Sequence, residues 1–114
     1  MGQLVAAEAK KVGDEIDYVA TSRQAPTIID ELANKLRGHD VVIDFSIGEA
    51  VPRNIQSCLL AAVPIVEGTT GWKTHEEEIK QLVIEQNGTL VYGANFSIGV
   101  NVFYRIISHA SQLF

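Results

Sequence analysis

The sequence has a single cysteine, Cys58, so no intrachain disulfide can close and a structural zinc site lacks its ligands. It has no apolar run of about 18 residues, the length a membrane-crossing helix needs. The opening MGQLVAAEAKK has neither the apolar stretch nor the cleavage site of a signal peptide. A cytoplasmic protein without a membrane partner is therefore expected. Basic blocks are also lacking. With 9 Lys+Arg against 14 Asp+Glu the net charge is −5, which disfavours a nucleic-acid backbone or an anionic membrane as partner. Only 3 Pro and 9 Gly occur in 114 residues, too few for a collagen-like chain or a linker. What is present is 46 % hydrophobic and 20 % charged, enough apolar material for one core and one domain over 1–114.

The apolar period alternates along the chain. Residues 3–12 place Val5, Ala9 and Val12 at helical spacing, with Gly13 as a stop. EIDYVAT (15–21) alternates like a strand, and Pro26 opens a helix through IIDELANKL that Gly38 closes. DVVIDF (40–45) reads as a strand buried on both faces, EAVPRNIQSCLLAA (49–62) as a helix, and VPIVE (63–67) as another strand. Thr74 and Glu77 match a capping box at the head of a helix with Ile79, Leu82 and Val83 inward and Gly88 at its end. TLVYG (89–93) is a strand, and NVFYRIISHASQLF (101–114) a final helix, apolar on most of its circumference and expected to be exposed. This rhythm predicts an α/β, Rossmann-like, doubly wound parallel sheet whose first strand is missing ahead of Met1.

Ligands of open parallel sheets bind beyond the carboxyl ends of the strands. The loops to inspect are TSRQ (21–24), FSIGEA (45–50), EGTTGW (67–72) and GANFSIGVN (93–101). Two of the four are rich in Gly, Ser, Thr and Asn, which suits a nucleotide, whose groups want close backbone and neutral hydrogen bonds. None shows a nucleophile–base pair, a metal set or two adjacent carboxylates, so no catalytic residue and no metal ligand is assigned. Gly2, just before the first helix, stands where the last glycine of G-x-G-x-x-G would. The position where an acid would bind the adenosine ribose holds Thr21-Ser22-Arg23. An arginine beside two hydroxyls accepts a 2′-phosphate, which favours NADPH; the alternative is a solvated loop arginine.

DVVIDFS (40–46), VEGTTGW (66–72) and YGANFSIGVNVFYRI (92–106), in this order, resemble the nucleotide-binding domain of the 4-hydroxy-tetrahydrodipicolinate reductases. The resemblance covers essentially the whole chain. It implies that Gly68, Thr69 and Thr70 lie along the nicotinamide ribose and amide, with Thr70 also reaching the substrate. It further implies that Gly93, Ala94, Asn95 and Phe96 form a second nicotinamide loop and that Phe45 and Ser46 flank the middle of the cofactor. Ser22 and Arg23 take the adenosine-ribose positions, and Gly2 the last glycine of the Gly-rich turn. Ser22 departs from the acid common there, so NADH and NADPH both stay open. The resemblance implies hydride transfer to a cyclic dicarboxylate in lysine (diaminopimelate) biosynthesis by a homo-oligomeric full-length enzyme. The substrate-binding domain, with its proton donor, is absent from 1–114, so the chain alone is expected to be inactive.

Two other readings compete. A receiver-like signalling domain would use Asp44 as phosphoacceptor, and a noncatalytic nucleotide-binding module would keep the loops alone. The bland readings are a buried core thiol for Cys58, a surface His75, a loop His39 and a structural His109. Glu76–Glu78 read as a solvated helix start and Asp44 as a strand end. Trp72 either shields the nicotinamide pocket or packs its loop onto the next helix.

Overall fold

Three short β-branched runs set the architecture. In the computed structural model, which describes residues 1–21 and 23–113, they form β1 (Val42–Asp44), β2 (Ile65–Glu67) and β3 (Leu90–Tyr92). The strands are parallel, in the order β1-β2-β3, and their register aligns Val42 with Ile65 and Leu90 and, at the far end, Asp44 with Glu67 and Tyr92. Parallel neighbours require crossovers. Helix α3 (Val51–Ala61) joins β1 to β2, and α4 (Glu76–Glu85) joins β2 to β3. The fold class is α/β and Rossmann-like, as the sequence rhythm predicts.

The core lies where α2 (Ile29–Leu36) and α3 meet the sheet. Leu32 and Leu36 are one turn apart on α2, while Val51, Ile55 and Cys58 recur at i, i+4 and i+7 on α3. They close with Ile65, Trp72 and Ile79 into one buried cluster. Burying a side chain such as Ile55 contributes about 1.5–3 kcal/mol. Buried Ser57 donates to a carbonyl at either Arg53 (2.8 Å) or Ile29 (3.2 Å), tying α3 to the start of α2.

Several local expectations give way. Residues 15–21 are not a strand: a strand exists only as a hydrogen-bonded ladder, and among the described residues the ladder ends at β1, across a groove from them. For the same reason β1 is not buried on both faces, and Ile43 and Val41 are 46 % and 47 % exposed. Helix α2 starts at Ile29 rather than at Pro26. The capping box does not form. Residues Lys73–His75 tighten into a 3-10 turn, which moves the start of α4 to Glu76 and leaves Thr74 inside the turn. At the other end of α4 the left-handed residue is Asn87 (φ 53°), not Gly88. Helix α1 (Gly2–Lys11) forms as expected, with Gly13 left-handed beyond it (φ 94°), yet buries none of its residues. Helix α5 (Ile98–Leu113) begins three residues early because Ser97 caps it, its Oγ accepting from the Val100 amide at 3.3 Å. Phe114 and Ser22 lie outside the described residues. No helix among the described residues is long and apolar enough to cross a membrane.

Candidate functional site

Because the strands are parallel and in register, the chain leaves all three at the same rim. Gly68 donates its amide to the Asp44 carbonyl at 2.9 Å, and Gly93 to that of Glu67 at 3.2 Å, so the exits stay side by side. The Ser46 amide donates to Thr69 Oγ1 at 2.9 Å, tying the first loop to the second. Two glycines make this junction possible. A Cβ on Gly48 would come within 2.5 Å of the Gly71 carbonyl oxygen, and one on Gly68 would collide with the edge of the Phe45 ring. That ring meets Phe96 edge to face, with centroids 6.5 Å apart, so the first loop also touches the third.

The threonines divide the work. Thr69 is buried and spent on structure, while Thr70 is exposed. Trp72 is buried, donates Nε1–H to the Thr69 carbonyl at 2.9 Å and stands edge-on to Tyr92 at 5.5 Å. Packing of its loop onto the following helix, one of its two expected roles, is seen in the core cluster it shares with Ile79. The third loop is built from its own side chains. Asn95 Oδ1 accepts from the Ser97 amide at 2.7 Å, and Asn101 Nδ2 donates to the carbonyls of Asn95 (3.0 Å) and Ser97 (2.8 Å). Gly93, Ala94, Asn95 and Phe96 are thus held at the rim before any ligand arrives.

The sites assigned to the far half of a dinucleotide are less closely gathered. A groove of about 1030 Å³ runs between α1, residues 14–21 and the free edge of β1, and Gly2, Thr21, Phe45 and Ser46 all line it. Arg23 is exposed in the adjoining turn, where the Thr21 carbonyl accepts from Gln24 and Ala25, and does not line the groove. Ser22 lies outside the described residues. A Cβ on Gly2 would meet nothing within 4 Å, so packing gives no reason for glycine there.

The sheet register also assembles a pair that the sequence reading missed. Asp44 and Glu67 are direct partners on β1 and β2, with 6 % and 0 % exposure. Asp44 accepts from Asn54 Nδ2 at 2.8 Å, and the Arg53 guanidinium in turn donates to Asn54 Oδ1. Glu67 Oε1 accepts from the Thr69 amide at 2.8 Å, while Oε2 is buried without a partner. Burial first, and the Asp44 carboxyl second, push Glu67 up to about 8. Burial and the same two acids push the Cys58 thiol up to about 12, which leaves it inert, as a core thiol should be. The signal was available: each acid is the last residue of its strand, at the carboxyl rim. Asp44 is therefore more than a strand end, and a buried, hydrogen-bonded Asp44 does not suit a receiver's phosphoacceptor.

A family model described as dihydrodipicolinate reductase, N-terminus, matches residues 1–96. Among curated relatives, a 4-hydroxy-tetrahydrodipicolinate reductase of Christiangramia forsetii is 32 % identical over 103 residues, 84 % of this chain and 43 % of the relative. One of Anaeromyxobacter dehalogenans is 37 % identical over 86 residues, 75 % of this chain and 32 % of the relative. One of Psychrobacter arcticus is 34 % identical over 101 residues, 89 % of this chain and 36 % of the relative. The chain thus spans 32–43 % of the length of these three relatives.

Proposed function

We propose, on the premise that this chain belongs to the dihydrodipicolinate reductase family, that its carboxyl rim binds a nicotinamide dinucleotide and presents it to a small cyclic dicarboxylate. The observation that supports this reading is the convergence of the Gly68–Thr70 turn and the Asn95–Phe96 turn on one rim, both tied to the loop bearing Phe45 and Ser46. The residues fit such a ligand. Neutral hydroxyls of Ser46 and Thr70 are exposed, and the neighbouring groove matches the upper end of ligand-site volumes, roughly 300–1,000 Å³.

The bound cofactor supplies the hydride. Gly68 and Thr69 hold the turn along the nicotinamide ribose and amide, and Thr70 offers its free hydroxyl to the amide and to the substrate. Gly93, Ala94, Asn95 and Phe96 close the other side of the nicotinamide. Phe45 and Ser46 lie under the middle of the dinucleotide, with Gly2, Ser22 and Arg23 toward the adenosine. Residues 1–114 serve as the dinucleotide-binding part. The reduction itself, a step of lysine biosynthesis in the cytoplasm, belongs to a homo-oligomeric enzyme of the relatives' full length.

Titrating the chain with NADH and NADPH, followed by nicotinamide fluorescence or calorimetry, tests the reading. Binding of either is expected, with a loss of at least about tenfold in Gly68→Ala, whose methyl group displaces Phe45. Absence of binding by both dinucleotides refutes it. Arg23→Ala is expected to weaken NADPH more than NADH, and an equal effect on both removes Arg23 from the site.

A further inference from the structure

We infer that Glu67 and Asp44 share one proton, and that this buried acid pair is the positioning element that locks the Gly68–Thr70 turn to the loop after β1. Their register puts both side chains at the same level of neighbouring strands, and both are buried. Two carboxylates are acceptors only, so one of them must carry a proton for the pair to hold together. The free position is Glu67 Oε2, which is buried and has no donor. Asp44 already has its donor in Asn54, which Arg53 backs with two hydrogen bonds. The proton therefore sits on Glu67 Oε2 and is donated to the Asp44 carboxylate.

From there the contacts run straight into the rim. The other oxygen of Glu67 accepts the Thr69 amide at 2.8 Å, Thr69 Oγ1 accepts the Ser46 amide at 2.9 Å, and the Thr69 carbonyl accepts Trp72 Nε1–H at 2.9 Å. Asn54 Nδ2 lies 2.8 Å from Asp44 and 3.3 Å from the Ser46 hydroxyl, so the pair is tied to the first loop from below as well. Ionising Glu67 removes the shared proton and sets two anions against each other in a buried site; the anion keeps the Thr69 amide, so the repulsion acts between the ends of β1 and β2 and parts the two loops they carry.

The other ionisable groups around the pair are Cys58, Arg53 and Tyr92. Cys58 from α3 stays neutral, with its thiol pushed up to about 12. Arg53 reaches the pair only through Asn54. Tyr92, the partner of Glu67 on β3, turns its hydroxyl to Glu76 at 3.0 Å, and Lys80 bonds Glu76 at 2.8 Å on the outer side. Burial and Asp44 place the ionisation of Glu67 at about 8.

The binding arm of the test rests on the proposed function; the spectroscopic arm does not. Infrared difference spectra of the full chain between pH 6 and 10 are expected to show a protonated carboxyl band that fades near pH 8 and is missing in Glu67→Gln. NADH and NADPH affinity is expected to fall above that pH, approaching tenfold per unit, about one proton. Glu67→Gln keeps a donor but cannot ionise, so its pH profile is expected to be flat. Asp44→Asn removes the neighbouring charge and is expected to move the fall to lower pH, which keeps the test open should the glutamine variant not fold. A neutral-pH spectrum without the band, or an unaltered fall in Glu67→Gln, overturns the inference. A titrating band in a chain that binds neither dinucleotide leaves the acid pair standing and sinks the proposed function.

Discussion

Helix α3 buries Val51, Ile55, Ser57 and Cys58, whereas the longer and more apolar α5 buries no described residue, and neither does α1. Val102, Phe103, Ile106 and Ile107 of α5 are each about half exposed or more. The chain's radius of gyration, 16.0 Å, exceeds the roughly 13 Å of a compact domain of this length, consistent with outer helices that project. The contrast separates two causes. Helix formation is local, decided by propensity, caps and spacing; burial needs a neighbour. Helix α3 lies between two paired strands and is laid on the sheet by its own crossover. Helix α5 leaves β3 through a loop braced by Asn95, Ser97 and Asn101, and rests on none of the core cluster.

The largest expected difference comes from truncating one isoleucine in each helix. Ile55→Ala should cost about 2–5 kcal/mol in urea unfolding, and Ile106→Ala less than about 0.5 kcal/mol. Equal costs would mean that α5 is packed in solution after all. The glycines repeat the contrast with a single methyl group. Gly68→Ala, which collides with Phe45, should cost about 1–3 kcal/mol, while Gly2→Ala meets open space and should be neutral within about 0.5 kcal/mol.

Acidity extends it. Glu67 is held at about 8 against an ordinary 4.5, so the folded chain binds its proton more tightly than the unfolded chain. That stabilisation is complete below pH 4.5 and is lost as the pH rises toward 8, by up to about 1.4 kcal/mol per unit. Glu67→Gln should remove this slope from urea midpoints measured across pH 5–8, and exposed Glu77→Gln should leave it intact. The smallest effect lies at the end of α3. Ala62 is left-handed there (φ 56°, ψ 40°), a conformation glycine adopts freely, so Ala62→Gly should stabilise by about 0.5–1 kcal/mol.

Periodicity alone was enough to locate most elements, since the apolar spacing of 51–61, 65–67 and 76–85 records which face of each must be dry. The loops of the carboxyl rim were readable too, because each directly follows a strand end. Residues 15–21 misled because alternation reports the wish to pair, and pairing depends on what lies alongside. Thr74 misled because its motif is also compatible with a tighter turn. Asp44 and Glu67 escaped notice because they are distant in the chain and meet only through strand register.

Local chemistry, then, was sufficient for the kinds of element, their order and the family they betray, because propensity, capping and apolar spacing act over a few residues. Tertiary contact alone decided which helices are dry, which strand has a partner, and where a proton sits between two acids. Those outcomes depend on what is brought within a few ångströms, and a carboxyl group responds to the charge and water around it rather than to its neighbours in the chain.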